Sequence, residues 1–109
     1  VISIMSAINP YEKIRMLNSI DQESIVKTVY IQADMDTLIK RDTKGLYKRA
    51  YLKPKNPLKI HNLSGVNDPY DIPQSPDLTI NTNNQAIEES VKVFCEFVLE
   101  IVESKNLIP

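Results

Sequence analysis

The chain has 109 residues, 13 Lys and Arg against 14 Asp and Glu, and a formal net charge of -1. That length suits one small domain, and the near-neutral charge excludes nucleic-acid binding by bulk basicity, so any anion site must be local. Cys95 is the one cysteine and His61 the one histidine. This excludes an internal disulfide and a Cys/His zinc site, and it points to a reducing compartment, the cytoplasm.

In chain order, residues 1–8 ("VISIMSAI") read as a strand that is apolar on both faces, as in the middle of a parallel sheet. They lack the basic flank and cleavage pattern of a signal peptide, and no apolar run is long enough to span a membrane. A chain that opens without Met inside an apparent buried strand reads as the later part of a longer protein. In "NPYE", Asn9 suits an N-cap, Pro10 the first helical position and Glu12 the capping-box position, giving a helix to about Asn18 with Ile14 and Leu17 inward.

Residues 24–32 ("SIVKTVYIQ") read as a second strand, too apolar to be half exposed. "ADMDTLIKRD" reads as a short helix, with Asp34 or Asp36 at its positive end and Lys40 and Arg41 at its negative end. Strand–helix–strand–helix order implies an α/β fold with a parallel sheet.

From 43 to about 76 the periodicity fails. "KGLYKRAY" suits a short helix, and the rest is proline-rich and irregular, the composition of a lid or binding loop. "DLTINT" reads as a strand. Asn83 or Asn84 then caps a final helix from about 85 to 104, with Ile87, Val91, Phe94, Val98 and Ile101 inward. Cys95 on that helix reads as a buried structural thiol, and His61 as a surface loop residue.

Lys40, Arg41, Lys44, Lys48, Arg49, Lys53, Lys55 and Lys59 place eight of the 13 cations within twenty residues, opposed only by Asp42. This is either a solvated helix face with a basic loop or an anion-binding lid. The junction of Asn9 and Pro10 is either a plain helix cap or an anion site beyond the end of a strand. Gly45 and Gly65 are the only glycines, and neither belongs to the G-x-x-x-x-G-K-S/T loop that cradles phosphates.

The order of residues adds what charge cannot. "RDTKGLYKRA" resembles the R-D-x-K-G-L-Y-K-K/R-A signature of adenylylsulfate kinases. "LSGVNDPYDIPQSPDLTINT" is similar, in spacing throughout, to that family's F-T-G-I-D-x-P-Y-E-x-P-x-x-P-E-L-x-I/V-x-T, and "SAINPYEKIR" resembles its S-F-I-S-P-Y/F-x-x-x-R. The three blocks stand in the family's order and span essentially the whole chain.

The resemblance implies a P-loop NTPase-like parallel sheet with flanking helices and a long basic lid at about 43–76. It implies that residues 1–109 are the C-terminal portion of a kinase domain whose P-loop half lies upstream. It implies phosphorylation of the 3′-hydroxyl of adenosine 5′-phosphosulfate with ATP and Mg²⁺, by a homodimer or by a fusion with a sulfate-activating domain.

By the same resemblance, Lys44, Ile8, Asn9, Asn62 and Leu63 border the phosphosulfate nucleotide, and Arg41 and Gln85 lie near the ATP adenine. No catalytic residue and no metal ligand falls in this chain, which alone is expected to be inactive. Asn9 replaces the family's serine, Leu63 replaces a phenylalanine that stacks on adenine, and "YLKPKNPLKIHN" is longer than the usual link. Leu63 and the longer link keep open a similar kinase acting on another nucleotide or a polysaccharide precursor, and the missing phosphate loop keeps open a non-catalytic nucleotide-binding or regulatory domain. A chain lacking half of its domain is expected to expose apolar edges, with strand 1–8 pairing with another chain.

Overall fold

A computed structural model describes residues 1–20 and 26–104. Its elements in chain order are α1 (Glu12–Ile20), β1 (Val29–Gln32), α2 (Met35–Arg41), α3 (Leu46–Ala50), β2 (Leu78–Asn81) and α4 (Ile87–Ser104). The described residues divide into two compact units, one formed by 1–20, 26 and 42–74, the other by 27–41 and 75–104.

The second unit carries the sheet. β1 and β2 pair in parallel, in the register Val29↔Leu78 through Gln32↔Asn81, so the α/β reading with a parallel sheet holds. α4 packs on β2. Ile80 is accordingly buried, at 3% exposure, while its register partner Ile31 on β1 is 59% exposed. Val102 of α4 is the other buried residue among the described residues of this unit. Each such aliphatic side chain contributes about 1.5–3 kcal/mol relative to an exposed one.

The expected strand at 24–32 is therefore shorter and less covered. It begins at Val29, and Ser24 and Ile25 lie outside the described residues. Apolar content marks a strand's preference for burial, but only a packed helix removes its face from water. α4 shows the same limit: Ile87 and Val91, expected inward, are exposed. Cys95 is exposed as well, not buried.

The first unit holds α1, α3 and the long irregular segment. Residues 1–8 form no strand; all eight are exposed, and no described strand pairs with them. A β-branched run forms a stable strand only when a neighbour takes up its N–H and C=O groups. Ile14 and Leu17 are likewise exposed, not inward.

Asn9 does not cap α1. It sits at φ 40, in the left-handed region that asparagine tolerates better than most residues. The helix starts later, and Asp71 does the capping: its carboxylate accepts the Glu12 N–H at 3.1 Å, while its own N–H donates to the Pro10 carbonyl at 2.7 Å. A cap 59 residues distant cannot be seen in the local sequence. Asn83 and Asn84 do not cap α4 either, because that helix begins only at Ile87.

Candidate nucleotide site

The basic segment opens with a tight, well-bonded turn. Asp42 accepts the Gly45 N–H through its carbonyl at 3.0 Å. Its two carboxylate oxygens accept the Tyr47 and Lys48 N–H groups at 3.0 and 2.9 Å. One acid thus satisfies the free N–H groups that open α3. Gly45, at φ 68, makes the left-handed turn between them. Lys44 stands at the outside of this turn, exposed.

The other end of α3 is closed by cations. Lys59 Nζ donates to the Ala50 and Leu52 carbonyls at 2.6 and 2.8 Å, which neutralises the negative end of the helix. Arg49 Nε donates to the Leu58 carbonyl at 2.8 Å, and the Ile60 N–H donates to the Arg49 carbonyl at 3.2 Å. The insertion "YLKPKNPLKIHN" is therefore a loop folded back on α3. Of the eight cations, Arg49 and Lys59 hold backbone here and Arg41 bonds Thr82, whereas Lys40, Lys44, Lys48, Lys53 and Lys55 make no side-chain hydrogen bond or ion pair among the described residues.

Asn62 and Leu63 follow this loop, Asn62 exposed and Leu63 half-buried. The Leu63 carbonyl accepts the Val66, Asn67 and Asp68 N–H groups, at 3.1, 3.2 and 3.2 Å, and Gly65 at φ 86 turns the chain between them. An open pocket of about 450 Å³ runs along residues 65 to 70.

Ile8 is exposed and Asn9 half-buried. The Asn9 carbonyl accepts Arg15 Nε at 2.8 Å. Arg15 also pairs with the Glu12 carboxylate, donates to the Asp71 carbonyl and lies over the Tyr70 ring, 5.4 Å from its centroid. One guanidinium thus ties Asn9 to the 70–71 segment. Arg15 and Asp71 escaped the reading of the sequence as site-forming residues. The S-P-Y/F-x-x-x-R block contained Arg15, but nothing local signalled its partners.

The two residues expected near the ATP adenine belong to the second unit. Arg41 ends α2, and its guanidinium donates to the Thr82 hydroxyl at 3.0 Å and to the Thr82 carbonyl. Thr82 in turn bonds the Gln32 carbonyl through its N–H at 2.8 Å and its hydroxyl at 3.0 Å. Arg41 is thereby fixed at the carboxyl ends of both strands, where ligands of open α/β sheets sit. Gln85 lines an open pocket of about 310 Å³ with Asn81, Asn83, Asn84 and Glu89, and it bonds the Ser90 hydroxyl at 2.8 Å. Asn83 accepts the Asp34 N–H at 2.7 Å, so it buttresses the start of α2.

The five residues expected around the phosphosulfate nucleotide thus fall in one unit and the two expected near ATP in the other. No group of three His, Cys, Asp or Glu side chains suited to a metal ion occurs among the described residues. None of the described helices is long and apolar enough to cross a membrane.

Comparison with known proteins bears on this arrangement. The family described as adenylylsulphate kinase matches residues 1–81. A probable adenylyl-sulfate kinase of Aeropyrum pernix is 35% identical over 106 residues, covering 94% of this chain and 55% of that protein. An adenylyl-sulfate kinase of Halothermothrix orenii is 37% identical over 109 residues, covering 99% of this chain and 53% of that protein. A protein of Sorangium cellulosum described as a probable bifunctional SAT/APS kinase 2 is 34% identical over 89 residues, covering 82% of this chain and 14% of that protein. The chain spans about half the length of the first two. No solved structure matches it significantly. The match over residues 1–81 takes in Lys44, the Asn9 junction and the Asn62–Leu63 turn together, and the chain belongs to the adenylylsulphate kinase family.

Proposed function

We propose that this chain is the C-terminal portion of an ATP-dependent adenylylsulfate kinase, with residues 43–76 as its basic lid. The complete enzyme transfers the γ-phosphoryl group of ATP to the 3′-hydroxyl of adenosine 5′-phosphosulfate. A 3′ O–P bond forms, the bond between the β–γ bridging oxygen and the γ-phosphorus breaks, ADP leaves and the hydroxyl proton is released. The observation that carries this reading is the family match over residues 1–81.

The roles follow from chemistry at each position. Lys44 has an exposed, unpartnered ammonium beside a fixed turn, a mobile point charge suited to a phosphosulfate. Ile8 and Asn9 present backbone to the same nucleotide, and Arg15 holds Asn9 in place. Asn62 and Leu63 flank its adenine. Leu63 keeps apolar contact but forgoes aromatic stacking, a loss of about 0.5–1.5 kcal/mol. Arg41 and Gln85 lie towards the ATP adenine.

Mg²⁺ accompanies ATP in such chemistry and helps neutralise charge on the transferring group. By the family resemblance, its protein contacts are assigned to sequence upstream of this chain. The same holds for the phosphate loop, so this chain alone is inactive. The working assembly is cytoplasmic, as a homodimer or joined to a sulfate-activating domain. The Sorangium relative, whose description is bifunctional, supports the second arrangement.

The test is an assay of the full-length polypeptide containing this chain, with ATP, Mg²⁺ and adenosine 5′-phosphosulfate. The expected product is the 3′-phosphorylated nucleotide. Leu63 in place of the family's phenylalanine favours one rival, a kinase for a different nucleotide. A clear preference for another acceptor in a substrate panel would establish that rival. Nucleotide binding without any transfer would instead make this a non-catalytic binding domain.

A further inference from the structure

We propose that Asn67 is a positioning residue that couples the inserted loop to the adenine side of the nucleotide site. The proposal rests on the reading of Leu63 as an adenine contact.

The geometry is specific. Asn67 Oδ1 accepts the Leu63 N–H at 2.8 Å, and Asn67 Nδ2 donates to the Ile60 carbonyl at 2.6 Å. The orientation of the amide is unambiguous, because a backbone N–H requires the oxygen and a carbonyl requires the nitrogen. The two bonded groups flank His61 and Asn62. One carboxamide therefore clamps the stretch that leads from the inserted loop into Leu63.

Ile60 is itself tied to α3. Its N–H donates to the Arg49 carbonyl, whose residue also holds Leu58 through Nε. A continuous chain of hydrogen bonds thus runs from α3, through the end of the insertion, through Asn67, to Leu63. Lys59 closes the same loop onto the α3 carbonyls. The loop that carries the unpartnered Lys53 and Lys55 is consequently linked to Leu63 by defined bonds. Asn67 is exposed, so its substitution leaves packing largely intact.

The two halves of the clamp are separable. Asn67→Asp keeps an acceptor for the Leu63 N–H but places a carboxylate against the Ile60 carbonyl, which removes the link to the loop. Asn67→Ala removes both bonds. In the full-length polypeptide, Asn67→Ala is expected to raise KM for adenosine 5′-phosphosulfate roughly three- to tenfold, the worth of one or two exposed hydrogen bonds. KM for ATP and kcat are expected to stay within about twofold.

Amide hydrogen exchange at Leu63 supplies a second reading that does not depend on activity. It should accelerate in Asn67→Ala and stay near wild type in Asn67→Asp. Tryptic cleavage after Lys55 should accelerate in both variants, because both release the loop. Unchanged Leu63 exchange in Asn67→Ala, or equal increases in KM for both substrates, would overturn the proposal. Should the unsubstituted polypeptide form no product, the kinase reading falls, and the exchange and proteolysis arms decide the role of Asn67 alone.

Discussion

Arg15 shows how much one side chain organises in the first unit. It is only 10% exposed and meets the Asn9 carbonyl, the Glu12 carboxylate, the Asp71 carbonyl and the Tyr70 ring. Arg15→Ala strands two carbonyls and a carboxylate, and is expected to lower stability by about 1–3 kcal/mol, read as a shift of the urea midpoint at unchanged slope. Arg15→Lys should recover only part of this, because a compact ammonium cannot span a fork's worth of acceptors. Lys44 is the opposite case, exposed and unpartnered. Lys44→Ala should leave the urea midpoint unchanged within about 0.5 kcal/mol while raising KM for adenosine 5′-phosphosulfate. A Lys44→Ala variant with normal KM would remove that residue from the proposed site. Neither role was visible as a physical interaction in the sequence. "RDTKGLYKRA" showed a cluster of charge, but which cations were already occupied depended on where the backbone of residues 50–58 returned.

At the scale of elements, α2 depends on its cap. Thr37 donates its hydroxyl and its N–H to Asp34, and Lys40 and Arg41 add favourable charge, so the Asp34 carboxyl is held below its ordinary value of about 3.9. A carboxyl whose pKa is lowered by folding contributes stability that is fully present above the unfolded value. That contribution is lost as pH falls through the folded one. The first turn of α2 is therefore expected to loosen below about pH 4, read from the Thr37 amide shift in a pH titration. Asp34→Asn keeps a neutral cap, and its Thr37 signal should lose this dependence. An identical titration in both proteins would contradict the assignment.

Local signals carried this part of the reading well. Asp34 before an amphipathic run, Gly45 before "LYKRA" and the β-branched "VYIQ" each correspond to an observed element. The failures share one cause. Residues 1–8, Asn9 and Cys95 were judged by what their side chains prefer, whereas the outcome depended on a partner distant in sequence, present for α1 as Asp71 and lacking for residues 1–8 among the described strands.

For the whole molecule, the residues expected at the two nucleotides divide between two compact units, and among the described residues each unit buries very little: Ala50 in one, Ile80 and Val102 in the other. Exposed apolar side chains such as Met5, Ile8, Leu17 and Val91 accompany a chain that spans about half the length of its relatives. The α/β character was legible in the order of strands and helices and the family in three short blocks, because the order of residues in a lid and a turn is specific where composition is not. Much of the bonding that holds those blocks was illegible, since Asp71 and Thr82 act on residues 41 to 59 positions away. The most direct measurement is the conversion of adenosine 5′-phosphosulfate by the full-length polypeptide in the presence of ATP and Mg²⁺, followed by separation of the nucleotide products. Formation of the 3′-phosphorylated nucleotide with stoichiometric ADP is the expected result; ATP hydrolysis alone, or no turnover of either nucleotide, would contradict it.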